Sequence, residues 1–494
     1  MFKSIYRKYC AALFALGVLL VSFLSVPLLV LVQPVGAVSF WKPGWQYRKS
    51  ITINHSLVAA NLENFPVLID ISDTDLASDA QPDGDDIYFT DSGGVQLSHE
   101  IELYSVGHLV AWVKVPSLSS SEDTVLYMYY GNGEAENQED ASGVWDANFM
   151  MVQHLNEVSG THYDSTVNGN NGTPQGGVVQ GTEGKIDGAD TFDGSNDYVS
   201  VPHSSTLTGF TEALTVEAWV KFDSTSRRQA ILNKWQTTGN QRAWFLEYHN
   251  TNRLGSFVSE TGSAYPYYYA SGFTPTVGAW YHIIIVWQSG QPTVFYVNGA
   301  QIPTTTSTGT VTSIYNNPSA PLDIGRSTYS TDRYFDGVID EVRISNQARS
   351  VEWISTSYNN QMNPSNFYTV GPEESSGNPI VSNPFPLDGS IYVPISLSWL
   401  SFELVDPDGD LMNFSVSTQP YIGSDIGINQ GDGTYFVSVN NLNYGTTYTW
   451  HVNVTDGVSW TNVTYTFTTE LEPLPPVVLD PHPLNGATDV PVSL

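Results

Sequence analysis

After an apolar run near its start, the chain is a succession of short stretches in which apolar residues alternate with polar ones or run together. Clusters of Gly, Asn, Asp, Pro and Ser separate them. Period-two alternation between turn clusters is the signature of β-strands with one buried face. Segments 48–53, 65–71, 87–90, 109–115 and 125–130 predict the strands of a first domain. Segments 214–222, 244–248, 280–288 and 293–297 predict a second set, with Asn298-Gly299 closing a hairpin. Segments 395–400, 413–418, 435–439, 447–454 and 463–468 predict a third, of the size of a small sandwich. Only 348–359 offers a helical turn. The pattern predicts an all-β chain of tandem β-sandwiches, a jelly roll and an immunoglobulin-like module among them.

Two words bracket the middle set: TFDGSNDYVSVP at 191–202 and YFDGVIDEVRISNQA at 334–348. Each joins a tight Asp-Gly turn to a strand, and together they resemble the laminin-G-like, concanavalin A-like jelly roll. EAWVKF (217–222), WYHIIIVW (280–287) and FYVNG (295–299) resemble that family in the expected order. The resemblance implies an extracellular sandwich that binds glycans or partner proteins. It also implies a structural calcium held by Asp193, Asp197 and Asp340, with Asp164 as an outside candidate. The alternative is that Asp193 caps its own turn and Asp340 pairs with Arg343.

Upstream, WQYRKSITI (45–53), NFPVLIDIS (64–72), AQPDGDDIYFTD (80–91), HEIELY (99–104), LVAWVKVPSLSS (109–120) and TVLYMYYGN (124–132) follow one another. That series is similar to the domain of unknown function 2341 family, found in bacterial and archaeal surface proteins and often placed directly before a laminin-G-like domain. The family brings no known activity. Downstream, LNYGTTYTWHVNVTDG (442–457) and YTFTTE (465–470) resemble a fibronectin type III or related immunoglobulin-like domain.

These readings divide the chain into 1–37, a signal peptide or membrane anchor helix; 40–147, the first domain; 148–371, the jelly roll; 372–378, a linker; 379–470, the fibronectin-like sandwich; and 475–494. The last segment repeats the opening of the third module. Pro379, Val381, Pro384, Pro386 and Leu387 recur 97 positions later as Pro476, Val478, Pro481, Pro483 and Leu484. The expectation is a second such repeat cut short, in a chain belonging to a longer array whose anchor or enzyme lies beyond Leu494.

Lys3, Arg7 and Lys8 precede the apolar run 11–32, and Val35-Gly36-Ala37 offers a cleavage site. Export by the secretory route follows, with an uncleaved anchor as the alternative because the run is nearly long enough to span a bilayer. The one cysteine, Cys10, precedes the run, so cleavage leaves no disulfide available. Eighteen basic against 50 acidic residues give a net charge of −32, which excludes nucleic acid and anionic membrane surfaces as partners of the whole chain. Membrane contact is expected only through the N-terminal segment or a missing C-terminal anchor. Sequons stand at Asn54, Asn171, Asn413, Asn453 and Asn462.

Sugar binding in such folds uses aromatic faces and a few polar groups. Trp244 and the run Tyr265, Tyr267, Tyr268 and Tyr269 are the candidates, the run above all because consecutive aromatics cannot all face inward on a strand. Catalysis finds no motif: no Glu-x-Asp-x-Glu strand, no Gly-x-Ser-x-Gly elbow, no His-Glu-x-x-His helix. Asp340 and Glu341 fall on opposite faces, and Glu100 and Glu102 share a strand face expected to meet solvent. Asp79, Asp83, Asp85 and Asp86 read as a turn, as do Asp406, Asp408 and Asp410, and His154 and His162 read as structural. The sequence therefore predicts a non-catalytic, secreted or cell-surface binding or adhesion protein, with a glycan or surface partner on the jelly roll. The alternatives are the non-catalytic part of a longer polysaccharide-degrading enzyme, or a structural envelope protein.

Overall fold

A computed structural model describes residues 41–42, 44–328, 333–477 and 482–491. The expected signal or anchor at 1–37 lies outside the described residues, as do 478–481 and 492–494 of the closing segment. The described part of that segment contains no strand. Among the described residues no helix is long and apolar enough to cross a membrane.

The chain is all-β, in three sandwiches. The first opposes a four-stranded sheet, in the order Tyr368–Ser375, Tyr47–Ile53, Thr124–Tyr130, Tyr88–Asp91, to a three-stranded sheet, in the order Leu62–Ser72, His108–Leu118, His99–Ser105. Alternation along Tyr47–Ile53 buries Lys49, Ile51 and Ile53. Ile51 and Ile53 enter the core with Phe65, Val67, Ile69, Phe89 and Met128. Lys49 is tolerated inside because its ammonium lies 2.5 Å from Asp73 and 2.6 Å from Asp75.

The second sandwich packs two eight-stranded sheets. Its core joins Trp244, Leu246 and Tyr268 of one to Val216, Val220, Ile283 and Ile339 of the other. The third sets three strands against five around Trp450, Phe402 and Val452.

The first two sandwiches share chain and core. Tyr368–Ser375, which follows the second sandwich, pairs antiparallel with Tyr47–Ile53 as the edge of the first. Residues 373–375, expected in a linker, are thus part of a sheet: Tyr130 Oη donates to Glu373 at 2.7 Å and Arg48 pairs with Glu374 at 2.7 Å. Tyr368 Oη accepts from the Asp70 amide at 2.7 Å and donates to its carbonyl at 2.9 Å. Strand Tyr368–Ser375 is an edge that no local pattern assigns to the first domain, because its partner lies some 320 positions earlier.

The helix Val351–Met362 starts where Ser350 accepts from the Trp353 amide. It sits between the two sandwiches. Trp353 packs on Phe65 at 4.8 Å in the first core, while Ile354 joins Ile284 and Val286 of the second. Asn360 satisfies both the amide and the carbonyl of Leu68, at 2.7 and 3.0 Å. The helical turn expected at 348–359 is this element, shifted by about one turn.

A buried histidine pins the loop that opens the second sandwich. His162 Nδ1 lies 2.6 Å from Glu157 and Nε2 lies 2.8 Å from Asp190, whose side chain is fully buried. Burial alone would lower the pKa of this imidazole. The hydrogen bonds and charges of Asp190 and Glu157 outweigh it and lift the value to about 9.

Trp353→Ala removes an indole shared by two modules and is expected to cost about 3–5 kcal/mol. In calorimetry it should lower the melting of the first and second sandwiches together and leave that of the third in place; a change confined to one of the first two would refute the shared core. For His162, the folded pKa exceeds the unfolded value near 6.5. Its stabilisation is complete below that value and is lost as pH rises through about 9. Melting temperatures between pH 6 and 10 should therefore fall more steeply for the native chain than for His162→Gln, and parallel profiles would count against an imidazolium at this site.

Candidate functional site

The outer face of one sheet of the second sandwich carries an aromatic basin. Strands Gln229–Gln236, Gln241–His249, Arg253–Val258 and Tyr267–Ser271 lie side by side. Register places Phe245 opposite Phe257 and Phe257 opposite Tyr267, one row of rings across three strands. The adjacent row on the same face is Glu247, Gly255, Tyr269. Glycine at 255 matters here: a Cβ would stand 2.9 Å from the Tyr269 ring and 3.1 Å from the Glu247 side chain, so only Gly lets them close over the middle strand.

Trp235 and Tyr265 complete the wall, edge to face at 4.9 Å. The basin encloses about 360 Å³. Tyr267 is 36% exposed at the rim, whereas Trp235 and Phe245 are buried in the floor.

Guanidinium groups ring these aromatics. Arg228 and Arg333 both pair with Glu247, the latter at 3.1 Å, and Arg253 lies 3.8 Å above the Tyr269 ring. Arg242 stands 6.0 Å from the Tyr265 ring. Among the described residues the ion pairs set one carboxylate, Glu247, against Arg228 and Arg333, so the basin is a cationic spot on a chain of net charge −32. His249 registers the field. Burial first, then Arg228, Arg253 and Arg333, push its pKa down to about 4, so it is neutral.

Tyr265, Tyr267 and Tyr269 therefore come together as the sequence suggests, but Trp244 and Tyr268 do not join them. Both are fully buried in the sandwich core. The strand alternation that sends Tyr267 and Tyr269 outward sends Tyr268 inward, and the same parity puts Phe245 out and Trp244 in. Phe245, Phe257 and the arginines escape motif reading because they gather from strands that only sheet register aligns. The available signal was the aromatic at both parities of 244–245.

The four aspartates expected around calcium are not brought together. Asp193 Oδ1 accepts from the Ser195 and Asn196 amides at 2.7 and 3.3 Å, and Asp197 Oδ2 accepts from the Asp193 amide at 3.0 Å. Asp164 accepts from the amides of Val152, Thr166 and Asn170. Asp340 Oδ2 accepts from those of Lys185 and Ile186 at 2.7 and 3.0 Å. Asp193 and Asp197 meet within their own turn, Asp164 serves nearby amides, and Asp340 serves amides of the 184–187 turn, so the four do not share a common centre. Arg343 pairs with Glu341, not with Asp340. Asp86 likewise takes the amides of Gln81, Gly131 and Asn132, as a turn residue does.

A different polar centre lies where the first two sandwiches meet. Glu100 and Glu102, expected to face solvent, are buried there because the second sandwich covers their strand. His154 Nδ1 is 2.6 Å from Glu102 Oε1 and 2.7 Å from Glu341 Oε1, and Nε2 is 3.3 Å from Glu100 Oε2. Trp112 Nε1 donates to Glu102 and Trp145 Nε1 to Glu100. Arg343 pairs with Glu341 and lies 4.2 Å over the Trp112 ring. Glu341 reaches inward because its backbone takes φ of +53° at a bulge, where pairing with Ala213–Phe222 slips. Both it and Asp340 are buried, so simple alternation fails at this point.

The environments split these carboxyls. Burial and the neighbouring Glu341 raise Glu102 to about 8, against the pull of His154. Burial works against Glu341 too, but His154 and Arg343 hold it at about 2. Burial and Glu341 also drive Asp340 well above the usual carboxylate range. His154 is raised well above its ordinary value despite burial, by Glu102, Glu341 and Glu100. Among the described residues, Glu102, His154 and Glu341 form the one group whose atoms converge closely enough to hold a metal ion.

Comparison with known proteins bears on about two thirds of the chain. Three solved structures are similar to it at low identity. The receptor binding domain of botulinum neurotoxin C/D mosaic serotype is 12% identical, with a TM-score of 0.34, over 62% of this chain and 71% of that one. The botulinum neurotoxin serotype G binding domain is 12% identical with a TM-score of 0.36, over 66% and 79%. The binding domain of Paraclostridial Mosquitocidal Protein 1 is 10% identical with a TM-score of 0.35, over 65% and 92%. Comparison with curated proteins gives no match. Family models match in two places: residues 83–171 carry the Domain of unknown function (DUF2341), and residues 193–355 that follow carry the Laminin_G_3 domain of the concanavalin A-like lectin/glucanases superfamily.

Proposed function

We propose that this chain is a secreted or surface-displayed binding protein that recognises an anionic glycan, such as a uronate-containing chain, in the aromatic basin of its second sandwich. The observation that carries this reading is the pairing of clustered aromatic rings with guanidinium groups in one recess of about 360 Å³ on an otherwise acidic molecule. Aromatic faces suit the apolar side of a pyranose, and an exposed ring such as Tyr267 can take a sugar without rearranging the core. Guanidinium groups suit a carboxylate or sulfate through paired N–H donors. A neutral sugar would leave the cationic field unanswered, while an anionic one is drawn to this spot and repelled by the rest of the surface.

In this role the second sandwich binds, the first holds it rigidly through the shared core, and the third acts as a spacer. No bond is made or broken. Calcium has no part in ligand contact, since no aspartate among the candidates lines the basin.

A glycan array run on the full chain should return acidic oligosaccharides and not their neutral counterparts. Tyr267→Ala should weaken binding by about tenfold, ~1.4 kcal/mol, without changing the melting temperature. Equal binding of neutral and acidic chains, or an unchanged affinity in the variant, would refute the basin as the site. Arg253→Gln should reduce affinity and flatten its dependence on salt, because a screened charge contact is removed. Titration calorimetry at two ionic strengths checks this, and an unaltered salt slope would exclude Arg253 from contact with the ligand.

A further inference from the structure

We propose that Glu102, His154 and Glu341 bind one divalent transition-metal ion of the zinc class, which clamps the first sandwich to the second. The three side chains come from distant parts of the chain. Glu102 lies on strand His99–Ser105 of the first sandwich, while His154 follows strand Phe149–Gln153 and Glu341 lies on Asp336–Ser345 of the second. Their ligand atoms all lie within 4.8 Å of one another.

Proximity of acids alone is weak grounds, since carboxyls can share protons. Two further observations favour a cation. Glu102 Oε2 is buried and has no hydrogen-bond partner, on a side chain 1% exposed. A buried oxygen in that state loses its hydration without replacement, and a metal ligand bond is one remedy. Second, the surrounding groups are arranged as the outer shell of a metal site. Imidazole bound through Nδ1 needs an acceptor for its Nε2 proton; Nε2 is buried without a hydrogen-bond partner and lies 3.3 Å from Glu100 Oε2, a carboxylate held by Trp145 and Ser165, so that a small turn of the ring brings the two into line. Arg343 fixes the far oxygen of Glu341, and Trp112 fixes Glu102.

Two carboxylate oxygens and one imidazole nitrogen suit zinc or its neighbours, which accept nitrogen and low coordination numbers; calcium demands six to eight oxygens. The carboxylates, now 2.6 and 2.7 Å from Nδ1, need to part by less than about 1 Å to admit ligand bonds near 2.1 Å. The ion is structural: the site is closed, and the basin lies on the other sheet of the second sandwich.

The test is refolding of the full chain from denaturant with Zn²⁺ or with chelator, followed by dialysis, elemental analysis and calorimetry. The expected result is one zinc retained per chain and a melting temperature raised by about 5 °C or more. Glu102→Gln keeps an acceptor for Trp112 but is a poor zinc ligand. It should retain no zinc and show no shift, with a chelated melting temperature at or above that of the native chain. No retained zinc and no shift in the native chain would overturn the proposal, and so would equal retention by Glu102→Gln. Should the variant fail to fold, X-ray absorption of the zinc-loaded native chain decides: one imidazole with oxygen ligands supports the site, and two or more imidazoles place the zinc elsewhere.

Discussion

After crossing the second sandwich the chain comes back to pair Tyr368–Ser375 with Tyr47–Ile53, and the position of that ladder governs what can be buried beside it. An unpaired edge on the first sheet would leave a row of N–H and C=O groups open to other chains. The returning strand fills it, and Tyr368 locks the closure by bonding both backbone groups of Asp70. Because the helix Val351–Met362 immediately precedes this return, it is drawn into the gap between the sandwiches. There Trp353 and Ile354 face opposite cores. The second sandwich is thus an insertion within the first, and the two depend on one another for their interiors.

That insertion explains the unusual amount of buried charge. A strand on the surface of an isolated first sandwich could carry Glu100 and Glu102 in water at no cost. Once the second sandwich covers it, those carboxylates must be hydrogen-bonded, paired or protonated, since desolvating an unpaired ion costs several kcal/mol or more. The indoles of Trp112 and Trp145, the imidazole of His154 and the guanidinium of Arg343 meet most of that demand. His162 with Asp190, and His282 with Glu217 at 2.8 Å, repeat the solution deeper in the second sandwich. His154 and His162, each set between carboxylates, leave that part of the interior sensitive to proton binding.

The basin obeys a different constraint, that of the pleat. A strand offers alternate side chains to alternate faces, so a sheet with an apolar core on one side can gather a second apolar set on the other only if aromatics occupy both parities. Trp244 with Phe245, and Tyr268 with Tyr267 and Tyr269, do so. The inner members fill the core and the outer members make the recess. Glu247 sits beneath it, buried and doubly paired, and holds Arg228 and Arg333 beside the rings.

Sequence by itself determined many of the strands, the order of the modules, the jelly-roll turns at Asp193 and Asp336, the short helix near 351 and the aromatic run from which the recess is built; it left out the basin strands Gln229–Gln236 and Arg253–Val258, and the strand expected at 395–400 runs instead from Trp399 to Val405. The features it determined are legible because alternation, turn chemistry and family words are local, and local pattern reports how much of a residue is buried. It does not report what buries it. The pairing of Tyr47–Ile53 with a strand beyond the second sandwich, the burial of Glu100 and Glu102, and the split of Trp244 and Tyr268 from their neighbours were decided by tertiary structure. The same holds for the calcium expectation: Asp164, Asp193, Asp197 and Asp340 are the right residue type, but each was claimed by nearby amides. The ligand atoms that do converge, on Glu102, His154 and Glu341, lie up to 239 positions apart. Separation of that order carries no signature along a single chain, because only the folded sheets bring its ends within 4.8 Å of each other.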